Sequence, residues 1–463
     1  MTPDAINVVS PRERDRLAQN LKGGAWLADD PAYAASVASW DQSVSKRPLL
    51  VVVAGSLDDI VTTARWADSR GLPIAIQNTG HGALRADEDS VLISIAKLGA
   101  VQVDPDRRRC RVEPGAVWGD VLRLAGAHGL AGLAGGSPGV GVVGYTLGGG
   151  LSPIGRTFGF AADRVTSLDV LDADHRASTV TADSDPELYW GLLGSGGLGI
   201  VTGLEFELVA APDIFGGGVF FDGSAALDVV HAYRHWLESL DDRTSTSIAL
   251  LHLPPVPQLP EVLRGRYVVH LRIAHIDDTA SDLAGDGRRI LEPMLSFPIL
   301  LDTVGILRPE QLPVIHMDPV APTNVTNRGV LIPELTDDAI EIASRHAVSG
   351  GADAPRMIEF RHLGGAMNEP IGAPTSTTGR GDGFNLFVST PTGSDAAATR
   401  AHVDGIVEDT APGIEKAQLN FCGPTPAPGE VLRLWDAEDA ARLLAVQERI
   451  DPHDRLRTGR PLH

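Results

Sequence analysis

The sequence predicts an α+β fold in at least two units, and three observations carry that reading. Residues 48–77 run strand, helix, strand. Residues 200–209 alternate apolar and polar side chains. After Ala210-Ala211-Pro212 the texture changes to helices interleaved with alternating runs. At 463 residues the chain is also too long for one typical domain. The expected division is a first domain over 1–212 with its core at 47–210, a second over 213–414, and a segment, 415–463, that returns to the first.

Pro48 to Val53 is a short β-branched run suited to a buried strand. Ser56 with Asp59 three residues on is a helix-start signal for 57–70, whose apolar positions recur at helical spacing until Gly71. Residues 72–77 read as a second strand and lead into Asn78-Thr79-Gly80-His81-Gly82. Strands follow at 91–95 and 109–113, then a helix over 117–128 ended by Gly129. Segment 130–150 holds nine glycines and too little polarity for a solvated linker. In 200–209, Ile200, Thr202, Leu204, Phe206 and Leu208 share one face, with Glu205 and Glu207 on the other. Beyond 213, alternation marks strands at 267–273, 357–362 and 384–389, and helices at 225–240 and 436–450. No internal repeat is present.

A hydrophobic fraction of 43% supports a sizeable core, and the 51 glycines fall in no periodic pattern, so they read as turns and close backbone approaches. Formal charge is 39 − 60 = −21, which repels phosphate backbones and anionic membranes and argues against nucleic acid as a partner. Only Cys110 and Cys422 are present, so a disulfide framework is excluded. The first 20 residues are polar, with Arg12, Glu13, Arg14, Asp15 and Arg16 where a signal peptide needs an apolar run, and no apolar stretch of about 18 residues exists. The expectation is a cytoplasmic protein with no membrane partner, in which the Asn324-Val325-Thr326 sequon carries no meaning.

Three glycine patterns invite functional readings. Gly194-Ser195-Gly196-Gly197-Leu198-Gly199 fits the dinucleotide fingerprint, but that motif needs a strand before it and a helix after it. Here a predicted helix over 186–193 comes first and a strand follows. Gly135-Gly136-Ser137-Pro138-Gly139 fits a nucleophile elbow, yet the residue after the serine must donate a backbone N–H, and Pro138 has none. A helix is also not expected through Gly139, Gly141 and Gly144. The third pattern treats 78–82 and 135–150 as two walls of one anion-binding cleft, with backbone N–H groups converging on phosphate oxygens. Spacing alone leaves that reading beside the plainer one of two tight turns.

The order of segments goes further. Arg47-Pro48, Asn78-Thr79-Gly80-His81-Gly82-Ala83, Val112-Glu113-Pro114-Gly115-Ala116, His128-Gly129-Leu130, Gly136 to Gly141, Gly148-Gly149-Gly150, Phe158 to Asp163, Leu188-Tyr189-Trp190 and Gly194 to Thr202 occur in succession. In that order they resemble the FAD-binding domain of the vanillyl-alcohol-oxidase superfamily, in its berberine-bridge-enzyme-like branch. Arg442-Leu443-Leu444 with Asp451-Pro452, and Gly364-Gly365-Ala366, resemble the family's closing helix and substrate-domain strand. The resemblance implies a two-subdomain PCMH-type FAD-binding domain and a substrate domain whose antiparallel sheet is flanked by helices. It implies FAD contacts at Ile76, Asn78, Thr79, Gly80, His81, Gly82, Ala83, Gly136, Ser137, Gly139, Val140, Gly141, Gly144, Tyr145, Gly148, Gly149, Gly150, Gly199, Val201 and Asn420. His81 falls where the branch bonds its histidine to the flavin 8-methyl carbon. Ser137 stands where some relatives place a second, cysteine bond, which a hydroxyl cannot make, so attachment through His81 alone is expected. Asn78-Thr79 replaces the usual glycines, and Phe421 replaces a tyrosine that serves relatives as a base.

The implied chemistry is hydride transfer from a small alcohol, sugar or secondary metabolite to flavin, with molecular oxygen as the second partner and hydrogen peroxide as product. Alternatives are a flavoenzyme of oxidative or non-redox cyclisation and a flavin-binding protein without turnover. Strand alternation puts Glu359 and Arg361 on one face and Ile358, Phe360 and His362 on the other. Glu359 and His362 are thus candidate bases, with an edge ion pair or solvated strand face as the plainer reading, and Asn385 and Tyr145 are further candidates. His231 and His235, four apart on a helix, lack a third ligand, so no metal is expected. A monomer or homodimer is expected.

Overall fold

The computed structural model describes residues 9–82, 86–349, 354–423 and 429–462. Ala83, expected among the FAD contacts, lies outside the described residues. Two sheets build the first half. In one, Leu50–Val53, Val91–Ser94 and Ile74–Gln77 pair in parallel, flanked by Gly24–Trp26 on one edge and Leu456–Arg457 on the other. Its β-branched strands are buried, as a parallel sheet requires. In the other, Val101–Asp104, Arg109–Val112, Ile200–Glu207, Val165–Leu171 and Ala177–Val180 are antiparallel neighbours.

Helix Leu57–Asp68 starts at Ser56, but not through the expected box. The Asp59 carboxylate accepts from the backbone N–H groups of Lys22, Gly23 and Gly55 at 3.0, 2.8 and 2.8 Å. It thus clamps the preceding hairpin to the helix, because three N–H donors outcompete a single cap. A second departure is the helix Val142–Leu147 inside the glycine-rich run. Burial of Val142, Val143, Thr146 and Leu147 offsets the helix cost of Gly144. Gly194–Gly199 follows helix Pro186–Ser195 and precedes strand Ile200–Glu207, the reverse of the dinucleotide order.

The second half is one antiparallel sheet in the order Ile299–Asp302, Ile214–Asp222, Tyr267–His275, Thr244–His252, Met357–His362, Phe384–Pro391, Val325–Ile332, with Gly305–Leu307 also on Ile214–Asp222. Helices Ala226–Leu237, Asp337–Ser349 and Ala396–Thr410 cover one face through a core that includes Ile248, Leu271, Phe360, Leu386 and Val403. The opposite face turns toward the glycine-rich loops. Helix Ala437–Ile450 comes back onto Pro186–Ser195, where Arg442 pairs with Glu187 at 2.7 Å and lies 3.8 Å over the Trp190 ring. No helix among the described residues is long and apolar enough to cross a membrane.

Candidate functional site: a glycine-lined cleft facing the second sheet

Strand Ile74–Gln77, with Ile76 half-buried, delivers the chain into the His81 turn. The His81 ring stacks on Trp40 with centroids 4.4 Å apart and planes within 15°. Thr79 Oγ1 sits 2.8 Å from Nδ1, while Nε2 is buried with no partner. Burial pushes the imidazole pKa down to about 4, so the ring is neutral near pH 7. The Asn78 side chain donates to Ala116 O at 3.3 Å. A Cβ on Gly141 would stand 2.7 Å from Asn78 Nδ2, and one on Gly139 would stand 3.9 Å from His81 Cε1. The loops separated by more than fifty residues in sequence are therefore adjacent walls, and only glycine lets Gly141 approach Asn78 so closely.

The second wall runs from Gly136 to Gly150. Gly149 and Gly150 have φ of +99° and +78°, a region that side chains with a Cβ rarely adopt. Gly148 touches the Asn420 side chain, which in turn donates to Tyr145 O at 2.9 Å. The Tyr145 ring meets Trp118 edge-on at 5.5 Å, and its hydroxyl is buried without a partner, so burial raises its pKa. Ser137 Oγ is likewise buried and unpartnered. Gly82 and Gly144 face open space. Val140 packs at the edge of the core that backs this wall, and Val201 lies within it, opposite Val170. Gly199, at φ +111°, contacts Val170 and Leu171.

The sheet opposite presents a polar row. Cross-strand register places Arg272, Ser247, Arg361 and Asn385 side by side, with His270 and Glu359 two residues along the same face. Glu359 is 1% exposed and central, so the reading of an edge pair or solvated face is corrected. Arg272 donates to its Oε1 at 2.6 Å and Arg361 to its Oε2 at 2.9 Å. Burial alone would raise its proton affinity, but these two guanidiniums hold the carboxyl well below its usual range. A carboxylate so anchored binds a proton weakly. Asn385 is fully buried, with both amide atoms unpartnered. His362 ends its strand against Phe384, with Nε2 3.4 Å from Arg156 Nη1, and burial lowers its pKa to about 3. His231 pairs with Asp337 at 3.1 Å, and among the described residues no cluster of metal-ligating side chains occurs.

Sequence reasoning missed His316 and Asp318, which sit in no motif. Met317 between them has φ +55°, a strained value for a side chain of its size. The turn presses both neighbours into the glycine wall: a Cβ on Gly136 would lie 2.9 Å from His316 Cβ and would also meet the Asp318 carboxylate. Both His316 ring nitrogens are buried without a hydrogen bond, and Nε2 is 3.8 Å from Glu359 Oε1. Burial raises the Asp318 pKa. Between this turn, residues 151–156 and the sheet lies a cavity of about 20 Å³, room for one or two water-sized groups.

The chemistry of these residues fits a cofactor that carries phosphates. The glycine walls of the cleft offer backbone N–H groups, it is open at Gly82 and Gly144, and His81 Nε2, Ser137 Oγ and Tyr145 OH point to unmet polar contacts. Comparison with known proteins agrees. Residues 48–181 match the family model described as FAD binding domain. The chain is 27% identical over 236 residues to the uncharacterized FAD-linked oxidoreductase YgaK of Bacillus subtilis, covering 49% of this chain and 52% of that protein. It is 27% identical over 196 residues to (R)-6-hydroxynicotine oxidase of Paenarthrobacter nicotinovorans, covering 42% and 43%. The chain thus spans about half the length of these curated relatives. In fold it is similar over almost its whole length to 6-hydroxy-D-nicotine oxidase from Arthrobacter nicotinovorans, with a TM-score of 0.81 at 18% identity, covering 96% and 98% of the two chains. A xylooligosaccharide oxidase from Myceliophthora thermophila gives 0.78 at 17% identity, covering 97% and 99%. Residues 48–181 thus match a FAD binding domain, and over almost its whole length the chain is similar in fold to these oxidases and to a BBE-like protein of Physcomitrella patens.

Proposed function

We propose that this protein is an oxidase that holds FAD in the cleft between the His81 turn and the Gly136–Gly150 wall and oxidises a small organic substrate against the polar face of the second sheet. The observation that carries it is the pairing of a phosphate-competent glycine cradle with a buried, neutral histidine whose Nε2 has no other partner. Bound there, FAD would take a hydride from the substrate carbon and pass the electrons to oxygen, giving hydrogen peroxide. Thr79 occupies Nδ1, leaving Nε2 as the nitrogen for attachment, and Ser137 supplies no second bond. The relatives named for nicotine and oligosaccharide oxidation fit an oxidase without fixing this chain's substrate.

The test is anaerobic mixing of the flavin-containing protein with alcohols, sugars and amines. Bleaching of the flavin, followed by peroxide when air is admitted, is the expected result. Product formation with a flavin that never bleaches would favour cyclisation instead, and protein purified without flavin overturns the proposal.

A further inference from the structure

Attachment of FAD at His81, the reading proposed above and the one relied on here, needs an imidazole held in one orientation. The His81 ring lies on Trp40, and Trp40 is gripped from two sides. Its backbone N–H donates to Thr79 O at 2.9 Å, and the N–H of Asp41 donates to Gly80 O at 3.2 Å, so this segment runs along the His81 turn. Gly80, at φ +73°, lets the two backbones close, since a Cβ there would collide with Ser39. On the other side, Trp40 O accepts from Thr323 N–H at 2.9 Å, and Thr323 O accepts from Gln42 N–H at 2.8 Å. Together these bonds form a parallel bridge centred on Asp41. The Trp40 indole N–H donates to Val320 O at 3.2 Å.

Thr323 and Val320 belong to the turn that begins at His316. That turn therefore touches both walls of the cleft: His316 and Asp318 meet Gly136, and Thr323 meets Trp40. Burial does not hold its second half. Pro319, Val320, Ala321 and Pro322 are exposed, Val320 by 69%. Hydrogen bonds to Trp40 and Gln42, and the fixed φ of two prolines, hold it instead. Trp40 in turn carries the His81 ring at 4.4 Å, with Thr79 Oγ1 at Nδ1. Orientation thus passes from the second half of the chain to His81 along Thr323, Trp40 and the ring stack. Cutting these exposed bonds would uncover little buried surface, yet it would free the plane on which the imidazole lies.

We propose that the 316–323 turn is a clasp whose bonds from Thr323 and Val320 set the Trp40 ring, and that Thr323 is thereby a positioning residue for attachment of flavin at His81 Nε2. Attachment takes one hydrogen from the flavin 8-methyl group and one from the imidazole, and joins that carbon to Nε2. The two electrons released go to oxygen, which becomes peroxide. Thr323 takes no part in those transfers. It fixes the direction in which Nε2 points.

The test compares the full flavin-containing chain with Thr323→Pro, which lacks the N–H that Trp40 O accepts, and Thr323→Ala, which keeps it. Acid precipitation separates attached from released flavin. Thr323→Pro should lower the attached fraction at least about threefold, with total flavin per chain unchanged and the melting midpoint within about 3 °C. Thr323→Ala should match the unmutated protein. Unchanged attachment in Thr323→Pro, an equal loss in Thr323→Ala, or loss of total flavin in step with attached flavin would each overturn the clasp and leave His81 as the attachment point. Should Thr323→Pro not fold, amide hydrogen exchange on the unmutated protein decides. Gln42 and Thr323 should then open as one unit at a common rate, at least about tenfold slower than Val320 and Ala321, and separate rates would sink the clasp. Release of all flavin from the unmutated protein by acid overturns attachment and clasp together, and protein without any flavin overturns the FAD reading beneath both.

Discussion

His81 shows how a single side chain is prepared for a task by its neighbours. Trp40 fixes the plane of the ring, Thr79 takes one nitrogen, and burial removes the charge, so the remaining nitrogen is neutral, oriented and unpaired. If that nitrogen bonds the flavin, His81→Ala should release all FAD on acid denaturation, while the unmutated protein keeps its yellow colour at the mass of one added FAD. Trp40→Ala should lower the attached fraction without abolishing it, read in the same acid-precipitation assay. Gly141 is the complementary case, a residue chosen for what it lacks. Gly141→Val would force Asn78 aside and should weaken flavin retention by about tenfold or more, measured by dialysis of the His81→Ala background.

The strand Met357–His362 shows what an element decides. Its alternation was enough to separate Glu359 and Arg361 from the buried Phe360, but not to say what the carboxylate meets. The register with Thr244–His252 and Tyr267–His275 brings Arg272 to the same point, so Glu359 becomes an anchor between two guanidiniums. Glu359→Ala would leave those cations buried and uncompensated, and should cost about 3–5 kcal/mol of stability, measured by denaturant titration. A double change of Glu359→Leu with Arg272→Met should recover part of that loss, since an apolar pair removes the unpaired charge.

Across the whole molecule, His81 and His362 are buried neutral imidazoles with pKa values of about 4 and about 3, and His270 and His316 are lowered as well. In the unfolded chain each titrates near its ordinary value of about 6.5. Between that value and the folded one, the unfolded state binds more protons, so stability must fall as pH drops through about 6.5 toward 4. Thermal melts over pH 8 to 5 should show the midpoint declining most steeply below about 6.5. The two halves and the returning tail are tied together across long sequence distances, by Arg156 with Asp242, Arg380 with Asp163, and Arg442 with Glu187. A cooperative single transition is therefore expected in the same melts.

The α+β class, the β-α-β opening, the helices at 186–195 and 437–450 and the glycine walls were legible in the sequence, because local periodicity and glycine placement encode them directly. The rejection of the dinucleotide motif was legible too, since it depends only on the order of neighbouring elements. Three features were not. The helix Val142–Leu147 forms because its apolar face is buried by elements distant in sequence, helix Pro186–Ser195 and strand Ile200–Glu207, which overrides the local cost of glycine. Asp59 leaves its cap for three N–H groups contributed by residues 22, 23 and 55. The turn carrying His316 and Asp318 has no motif, and only folding places it against Gly136. By itself, then, the sequence determined the elements and the placement of the glycine-rich loops between them. Tertiary structure alone decided which charged groups stand together in the buried face, because a proton's preferred site depends on the distances and burial that contacts between far-separated strands create.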